Sequence, residues 1–173
     1  MERTRLLAAV ILSGWVAMTV CMWFAASGSF ATVNRVLRES NSQFTDAAKP
    51  LRADQTRVLL RYLTSEINRT YFRAYGWAQL VLGGILLSLL LRQAPRDVFN
   101  LALAGGMLAA AAVLTLYITP EIVTLGRQID FVPRDPAPPG MARFRALHGA
   151  FTGLDGAKLL AGLALLGRWV LAR

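Results

Sequence analysis

The sequence predicts an all-α integral membrane protein in which four spans form a four-helix bundle. The composition is apolar, with 55% hydrophobic and 17% charged residues and a mean hydropathy of +0.44. Four apolar runs are each long enough, at about 20 residues, to cross the hydrocarbon core of a bilayer. The segments around them place apolar residues at helical spacing. Ordinary soluble domains are less apolar than this, and 173 residues are typical of one domain.

The predicted domain covers residues 1–173, with spans at about 6–27, 74–91, 98–118 and 146–171. The first run follows the basic start MERTR and ends in small residues, so a cleaved signal peptide is the alternative. We interpret it as an uncleaved span because the apolar run is longer than the core of a usual signal peptide.

The first two helices are predicted to extend beyond the membrane as an amphipathic hairpin, about residues 28–73. Apolar residues keep helical spacing over 28–37, so the first helix should end near Ser40. A polar break with Pro50 follows, and a second helix is predicted over 54–91. At 1.5 Å per residue, that helix is longer than a bilayer is thick.

The third and fourth spans are separated by a proline-rich loop, VPRDPAPPG, at 132–140. The third begins after the turn at 92–97, and Thr119–Pro120 should kink or end it. Residues 121–131 can extend it as a short interfacial helix. The fourth helix is predicted from about Met141 to Leu171.

The formal net charge of +9 indicates membrane-flanking Lys and Arg that face anionic lipid. We expect no nucleic-acid partner, since no basic face on a soluble module is visible. Four spans place both termini and the 92–97 turn on one side. Their short basic segments favour cytoplasmic termini in a bacterial inner membrane. The expected partners are the bilayer and a second copy or another membrane protein.

Catalysis and bound cofactors find no support in the sequence. One cysteine and one histidine exclude an internal disulfide, a multi-cysteine metal site and bis-histidine haem within the chain. Recognised nucleophile, zinc and phosphate-loop motifs are absent. Met18, Cys21 and Met22 share a helix face and could bind a soft ion such as Cu(I), although apolar packing is the favoured interpretation.

The fourth helix carries polar residues on one face: His148, Thr152 and Asp155 at i, i+4 and i+7, with Lys158 beside them. Charges inside a membrane are costly and commonly functional. One hypothesis is a relay or binding site for a proton, cation or small solute. The alternative is that Asp155 and Lys158 neutralise each other and hold helices together.

Polar groups on the other helices should lie in the same half of the membrane and border a cavity open toward His148. They are Thr19, Tyr75, Gln79, Thr115, Tyr117 and Glu121. Of these, Gln79 and Glu121 are the candidate site residues.

Glycines predict close contacts between helices, because a missing side chain lets backbones approach. On the fourth helix they adjoin the polar face, and on the second and third they form adjacent pairs. The predicted packing glycines are Gly149, Gly153, Gly156, Gly83, Gly84, Gly105 and Gly106.

Two short motifs resemble a known family. Tyr117-Ile118-Thr119-Pro120 ends the third span and Phe144-Arg145-Ala146-Leu147-His148-Gly149 opens the fourth. With the four-span layout, they resemble the uncharacterised bacterial membrane family related to eukaryotic transmembrane protein 205. Asp155 and Phe151 depart from the asparagine and small hydroxyl residue of that family. The resemblance implies a four-helix membrane protein and no reaction; the eukaryotic member is linked with drug resistance and secretory trafficking.

Two functions follow as hypotheses. The first is translocation of an ion, proton or small solute through the polar site on the fourth helix. The second is a non-catalytic accessory subunit that docks on a larger membrane complex through its glycines and basic hairpin.

Overall fold

The computed structural model describes residues 2–39, 41–133 and 135–171, and these ranges contain helices, turns and loops but no strand. The all-α fold class is therefore confirmed. The helices are α1 (Glu2–Arg38), α2 (Ser42–Ala48), α3 (Ala53–Leu91), α4 (Val98–Val113), α5 (Thr119–Ile129) and α6 (Met141–Leu171), with a π-helical segment, Leu114–Ile118, between α4 and α5.

Four helical rods in the described residues are long and apolar enough to cross a membrane: α1, α3, α6 and the continuous rod from α4 to α5. In the bundle α1 packs against α3, α3 against α4, α4 against α6, and α6 against α1. The chain is thus a membrane protein built as a four-helix bundle, as predicted.

The first two long helices exceed the thickness of a bilayer. α1 has 37 residues and α3 has 39, so at 1.5 Å per residue each measures about 55–60 Å against a hydrocarbon core of about 30 Å. They pack on each other as the arms of a hairpin. The connection contains the unpredicted short helix α2, which the Asn41 side chain caps by accepting the Phe44 N–H at 3.0 Å. Ser40, at the predicted end of α1, lies outside the described residues.

At Thr119–Pro120, where the sequence predicted a kink or an end, the helix does not end. The Thr119 N–H donates to the Leu114 carbonyl, five residues back, in the wide turn of the π-helical segment. Pro120 then lies in the first turn of α5, where a proline that lacks an N–H is tolerated. The helix continues to Ile129, as an extension of the third span.

The bundle has two apolar clusters at different levels. The larger lies toward the chain termini and the 92–97 turn, a region named here the terminal half; its fully buried members include Leu12, Trp15, Leu86 and Leu165. The smaller lies toward the hairpin, in the hairpin half, and contains Met22, Tyr75, Leu114, Ile118 and Phe151.

Candidate functional site

A buried ion pair lies at the centre of the bundle. Asp155 and Lys158, one turn apart on α6, are 0% and 3% exposed, and Lys158 Nζ lies 2.5 Å from Asp155 Oδ1. Two charges removed from water cost several kcal/mol each unless partners satisfy them. The surroundings of the pair therefore decide what it does.

Side chains of α3 satisfy the lysine. Lys158 Nζ donates to the Tyr75 hydroxyl at 3.0 Å, to the Gln79 Oε1 and to Asp155, which uses all three ammonium protons. Tyr75 in turn donates to Asp155, with its hydroxyl 3.0 Å from Oδ1. Tyr75 and Gln79 are four residues apart on a helix, so they present their polar ends to α6 from one face.

Side chains of α1 complete the arrangement. The Trp23 indole N–H donates to Asp155 Oδ2 at 2.7 Å, and the Trp15 indole N–H donates to Gln79 Oε1 at 3.3 Å. Thr19 Oγ1 lies 3.0 Å from the Tyr75 hydroxyl. We call this set of seven residues the buried network: Trp15, Thr19, Trp23, Tyr75, Gln79, Asp155 and Lys158.

A partly open cavity of about 430 Å³ lies next to the buried network, in the hairpin half between α1, α3, α5 and α6. This volume falls in the range of small-molecule sites. Trp23 belongs to both features, because its ring lines the cavity while its N–H binds Asp155. The remaining lining residues are Ala26, Ser27, Phe30, Ser65, Asn68, Arg69, Phe72, Thr119, Ile122, Val123, Phe144, His148, Phe151 and Thr152.

The predicted polar face of α6 therefore divides between two environments. His148 and Thr152 are exposed and line the cavity, whereas Asp155 and Lys158 are buried behind it. Gln79 joins the buried network as described. Glu121 does not, because it forms an ion pair with Arg143 at 2.6 Å.

Thr19 and Tyr75 also join the buried network, and neither lines the cavity that they were predicted to border. Thr115 packs against Gly76, 2.8 Å from the position that a Cβ would take there, and Tyr117 is 58% exposed on the outside of the bundle. Trp15 and Trp23 were not among the site residues predicted from the sequence. The available signal was their spacing, since Trp15, Thr19 and Trp23 lie at i, i+4 and i+8 on one face of α1.

The predicted packing glycines fall into two groups, those in contact with another helix and those with open space around them. Gly83 lies against Leu108 and Trp15, and Gly156 lies against Trp23. The other five do not make the predicted close contacts with other helices in the described chain. A Cβ atom added at any of them would have no neighbouring atom within 4 Å: Gly84, Gly105, Gly106, Gly149 and Gly153.

The sulfur-bearing residues of α1 do not face one point. Met22 is buried in the hairpin-half cluster, whereas Cys21 is exposed on the outside. Among the described residues, no three His, Cys, Asp or Glu side chains form a group that could hold a metal ion.

Beyond the network, a cluster of charges joins α3 to α5 at the hairpin end. Arg69 lies 2.5 Å from Glu66 and 2.8 Å from Asp130, and Arg127 lies 3.2 Å from Glu66. Hydrogen bonds from Arg127, and then from Arg69, hold the pKa of Glu66 below its usual range. Arg69 also lines the cavity, so this cluster forms part of its wall.

Part of the chain matches a known protein family. Residues 52–130 match a domain of unknown function, DUF4149. The DUF4149 match agrees with the expected resemblance to an uncharacterised family. It covers α3, α4 and α5, which hold Tyr75 and Gln79, and leaves out α1 and α6. No curated protein and no solved structure matches the chain.

Proposed function

We propose that the protein binds a small solute within the membrane, in the cavity of the hairpin half, as the first step of moving that solute. The observation that carries the proposal is Trp23. Its ring forms cavity wall and its N–H holds Asp155 of the buried ion pair. A solute that displaces the indole would remove a hydrogen bond from a fully buried carboxylate, and so couple binding to the buried network.

Passage of a bare ion is the less favoured form of the proposal. On the side of the cavity nearer the chain termini, Asp155 and Lys158 neutralise each other. The next layer in that direction is the tightly packed terminal-half cluster. Translocation of a solute would need the helices to separate at that cluster. We therefore place binding first and passage second.

A test of binding compares variants at adjacent positions of α1. Ala26 lines the cavity and Ala25 is exposed outside it, so Ala26→Phe fills the cavity and Ala25→Phe adds the same ring elsewhere. Native mass spectrometry of protein purified from its own membranes should find a small molecule on wild type and Ala25→Phe, and none on Ala26→Phe. Equal retention by the two variants, or no bound molecule in any of them, contradicts the proposal.

A test of passage uses Asp155→Asn in reconstituted vesicles with the molecule so identified. We expect the variant to be less stable, because Lys158 loses its counter-charge, but to assemble and to lose solute flux. A variant that folds and carries the solute at the wild-type rate removes Asp155 from the proposal.

The second candidate is an accessory subunit, and one observation favours it. Gly149 and Gly153 lie four residues apart on an open face of α6, which is the spacing at which membrane helices pack closely. Self-association or docking through this face predicts that Gly149→Ile lowers the oligomer mass measured by light scattering. An unchanged mass contradicts it.

We also propose the finer points of identity and orientation. The relation to transmembrane protein 205 is supported by the Tyr117–Pro120 and Phe144–Gly149 motifs, the second of which lies beyond the DUF4149 match. Cytoplasmic termini in a bacterial inner membrane are supported by Arg3, Arg5 and Arg96 on the terminal side. Reporter fusions at the C-terminus test the orientation, with a periplasm-active reporter expected to stay silent.

A further inference from the structure

We infer that the cavity selects an uncharged amphipathic molecule, with an apolar body and a hydroxyl or carbonyl group at one end. This inference rests on the proposed function and specifies its ligand class.

The charges at the cavity are already paired. Arg69 is the one Lys, Arg, Asp or Glu among the described lining residues. Its side chain is 10% exposed, and its guanidinium is held by Glu66 at 2.5 Å and Asp130 at 2.8 Å. Behind Trp23, Lys158 neutralises Asp155. A charged ligand would enter an apolar site and would have to displace one of these partners, at a cost of desolvation.

The walls suit an apolar body. Five aromatic rings line the cavity, from Trp23, Phe30, Phe72, Phe144 and Phe151. Phe72 and Phe151 meet edge to face, with ring centroids 5.2 Å apart. Such rings offer a large contact area to hydrocarbon or to another ring, and little to a hydrated ion.

Two hydroxyl groups of the cavity wall are available to bind the polar end of the ligand. Ser65 on α3 and Thr119 on α5 line the cavity, and within the described part of the chain their side chains form no hydrogen bond. Among the other polar lining groups, Thr152 donates to the His148 carbonyl at 3.0 Å and Asn68 donates to Ser29 Oγ at 2.9 Å. The His148 ring stacks on Phe144 and stays open to the cavity. A neutral group that donates and accepts matches the two open hydroxyls.

The position of the cavity agrees with this chemistry. Its lining residues lie where α1 and α3 leave the predicted spans, around Ala26 and Phe72. At this depth an amphipathic molecule keeps its body in hydrocarbon and its polar end near the interface.

Photolabelling with matched probes tests the ligand class. The full chain in zwitterionic lipid nanodiscs is exposed to a diazirine-bearing long-chain alcohol, to the carboxylate of the same chain, and to its trimethylammonium analogue. Mass spectrometry then locates the labelled residues. We expect the alcohol to label the Phe72 and Phe151 peptides saturably and at least about tenfold more than either charged probe.

Variants assign the labelling to the cavity. Ala26→Phe should abolish it and Ala25→Phe should not; if Ala26→Phe fails to fold, Val123→Phe and its exposed neighbour Thr124→Phe replace that pair. Ser65→Ala with Thr119→Val removes both open hydroxyls. This double variant should weaken competition by unlabelled alcohol by about 3- to 10-fold, as expected for neutral hydrogen bonds.

The contrary results separate this inference from the proposed function. Stronger cavity labelling by the carboxylate, lost in His148→Gln, overturns the uncharged class and leaves solute binding intact. Stronger labelling by the trimethylammonium probe does the same. An unchanged competition in the hydroxyl double variant overturns the assigned polar contacts. Absence of saturable cavity labelling by all three probes overturns the inference and the proposed function together.

Discussion

The two halves of the bundle are built from the same four rods but are held together by different forces. In the terminal half, large apolar side chains fill the space between helices, and Leu12, Trp15, Leu86 and Leu165 are fully buried. In the hairpin half, an ion pair with its hydrogen-bond partners joins α1, α3 and α6, and a cavity of about 430 Å³ lies beside it.

The difference teaches which half can change shape. Close packing of apolar side chains resists small displacements, because each added or removed methylene is felt by its neighbours. Hydrogen bonds can be exchanged for bonds to a ligand or to water. Functional change is therefore expected in the hairpin half, with the terminal half as a fixed base.

The largest effect should come from removing one charge of the buried pair. Lys158→Met leaves Asp155 without its counter-charge in a dry site, and we expect a loss of about 3–5 kcal/mol in the free energy of unfolding. The double variant Asp155→Leu with Lys158→Met should recover most of that loss. Unfolding in detergent micelles measures both. A double variant as unstable as the single one would mean that the ion pair itself holds the hairpin half together.

A smaller loss should follow from Trp23→Phe, which removes the hydrogen bond to Asp155 and keeps most of the ring. A bond to a charged group contributes about 1.5–3 kcal/mol. Trp77 is 57% exposed on α3, so Trp77→Phe is the matched control and should leave stability unchanged. Equal stability of the two variants would show that the indole N–H does not support the buried network.

The terminal half can be tested at two adjacent glycines. A Cβ on Gly83 would lie 2.8 Å from Leu108 and from Trp15, whereas one on Gly84 meets nothing within 4 Å. Gly83→Ala should therefore cost about 1–2 kcal/mol through overpacking, and Gly84→Ala should cost nothing. Thermal unfolding of the pair measures the difference. Two equally stable variants would show that Leu108 and Trp15 can move to accommodate a methyl group at Gly83.

The smallest effect should be a pH dependence at the hairpin end. The pKa of Glu66 is held below its ordinary value of 4.5 in the folded chain, so its ion pairs stabilise the fold above that pH. The contribution is lost as the pH falls through the lower, folded pKa. Melting temperatures between pH 6 and 3 should fall less steeply for Glu66→Gln than for wild type. If the melting temperatures of the two proteins fall in parallel, Glu66 does not contribute to the loss of stability in acid.

Much of the fold could be predicted from hydropathy and helical spacing alone. The start of α3 differs by one residue from the prediction, and α6 begins at Met141 as predicted. The sequence does not reveal the π-helical segment before Pro120, because Leu114 to Ile118 have the composition of ordinary apolar helix. The wide turn depends on tertiary packing, which local propensity does not encode.

The candidate site could be predicted only where depth and helix face decide the outcome. These two quantities placed Tyr75 and Gln79 in the membrane half of His148, and placed Lys158 beside the polar face of α6. They could not show that a tryptophan from α1 lies between His148 and Asp155, since that depends on how far each helix is rotated about its own axis. The predicted contacts at Gly149 and Gly153 are absent within the described chain for the same reason.

The ion pair also bears on how the chain enters the membrane. α6 has the lowest hydropathy of the four candidate spans, 1.3, and it carries both Asp155 and Lys158. A single buried charge opposes insertion of a helix by about 2.5–3.5 kcal/mol. Because the two charges are one turn apart on the same helix, α6 neutralises itself before it meets a neighbour. The fourth span can therefore leave the insertion machinery with its two intramembrane charges already neutralised, and the partners from α1 and α3 are needed only for assembly.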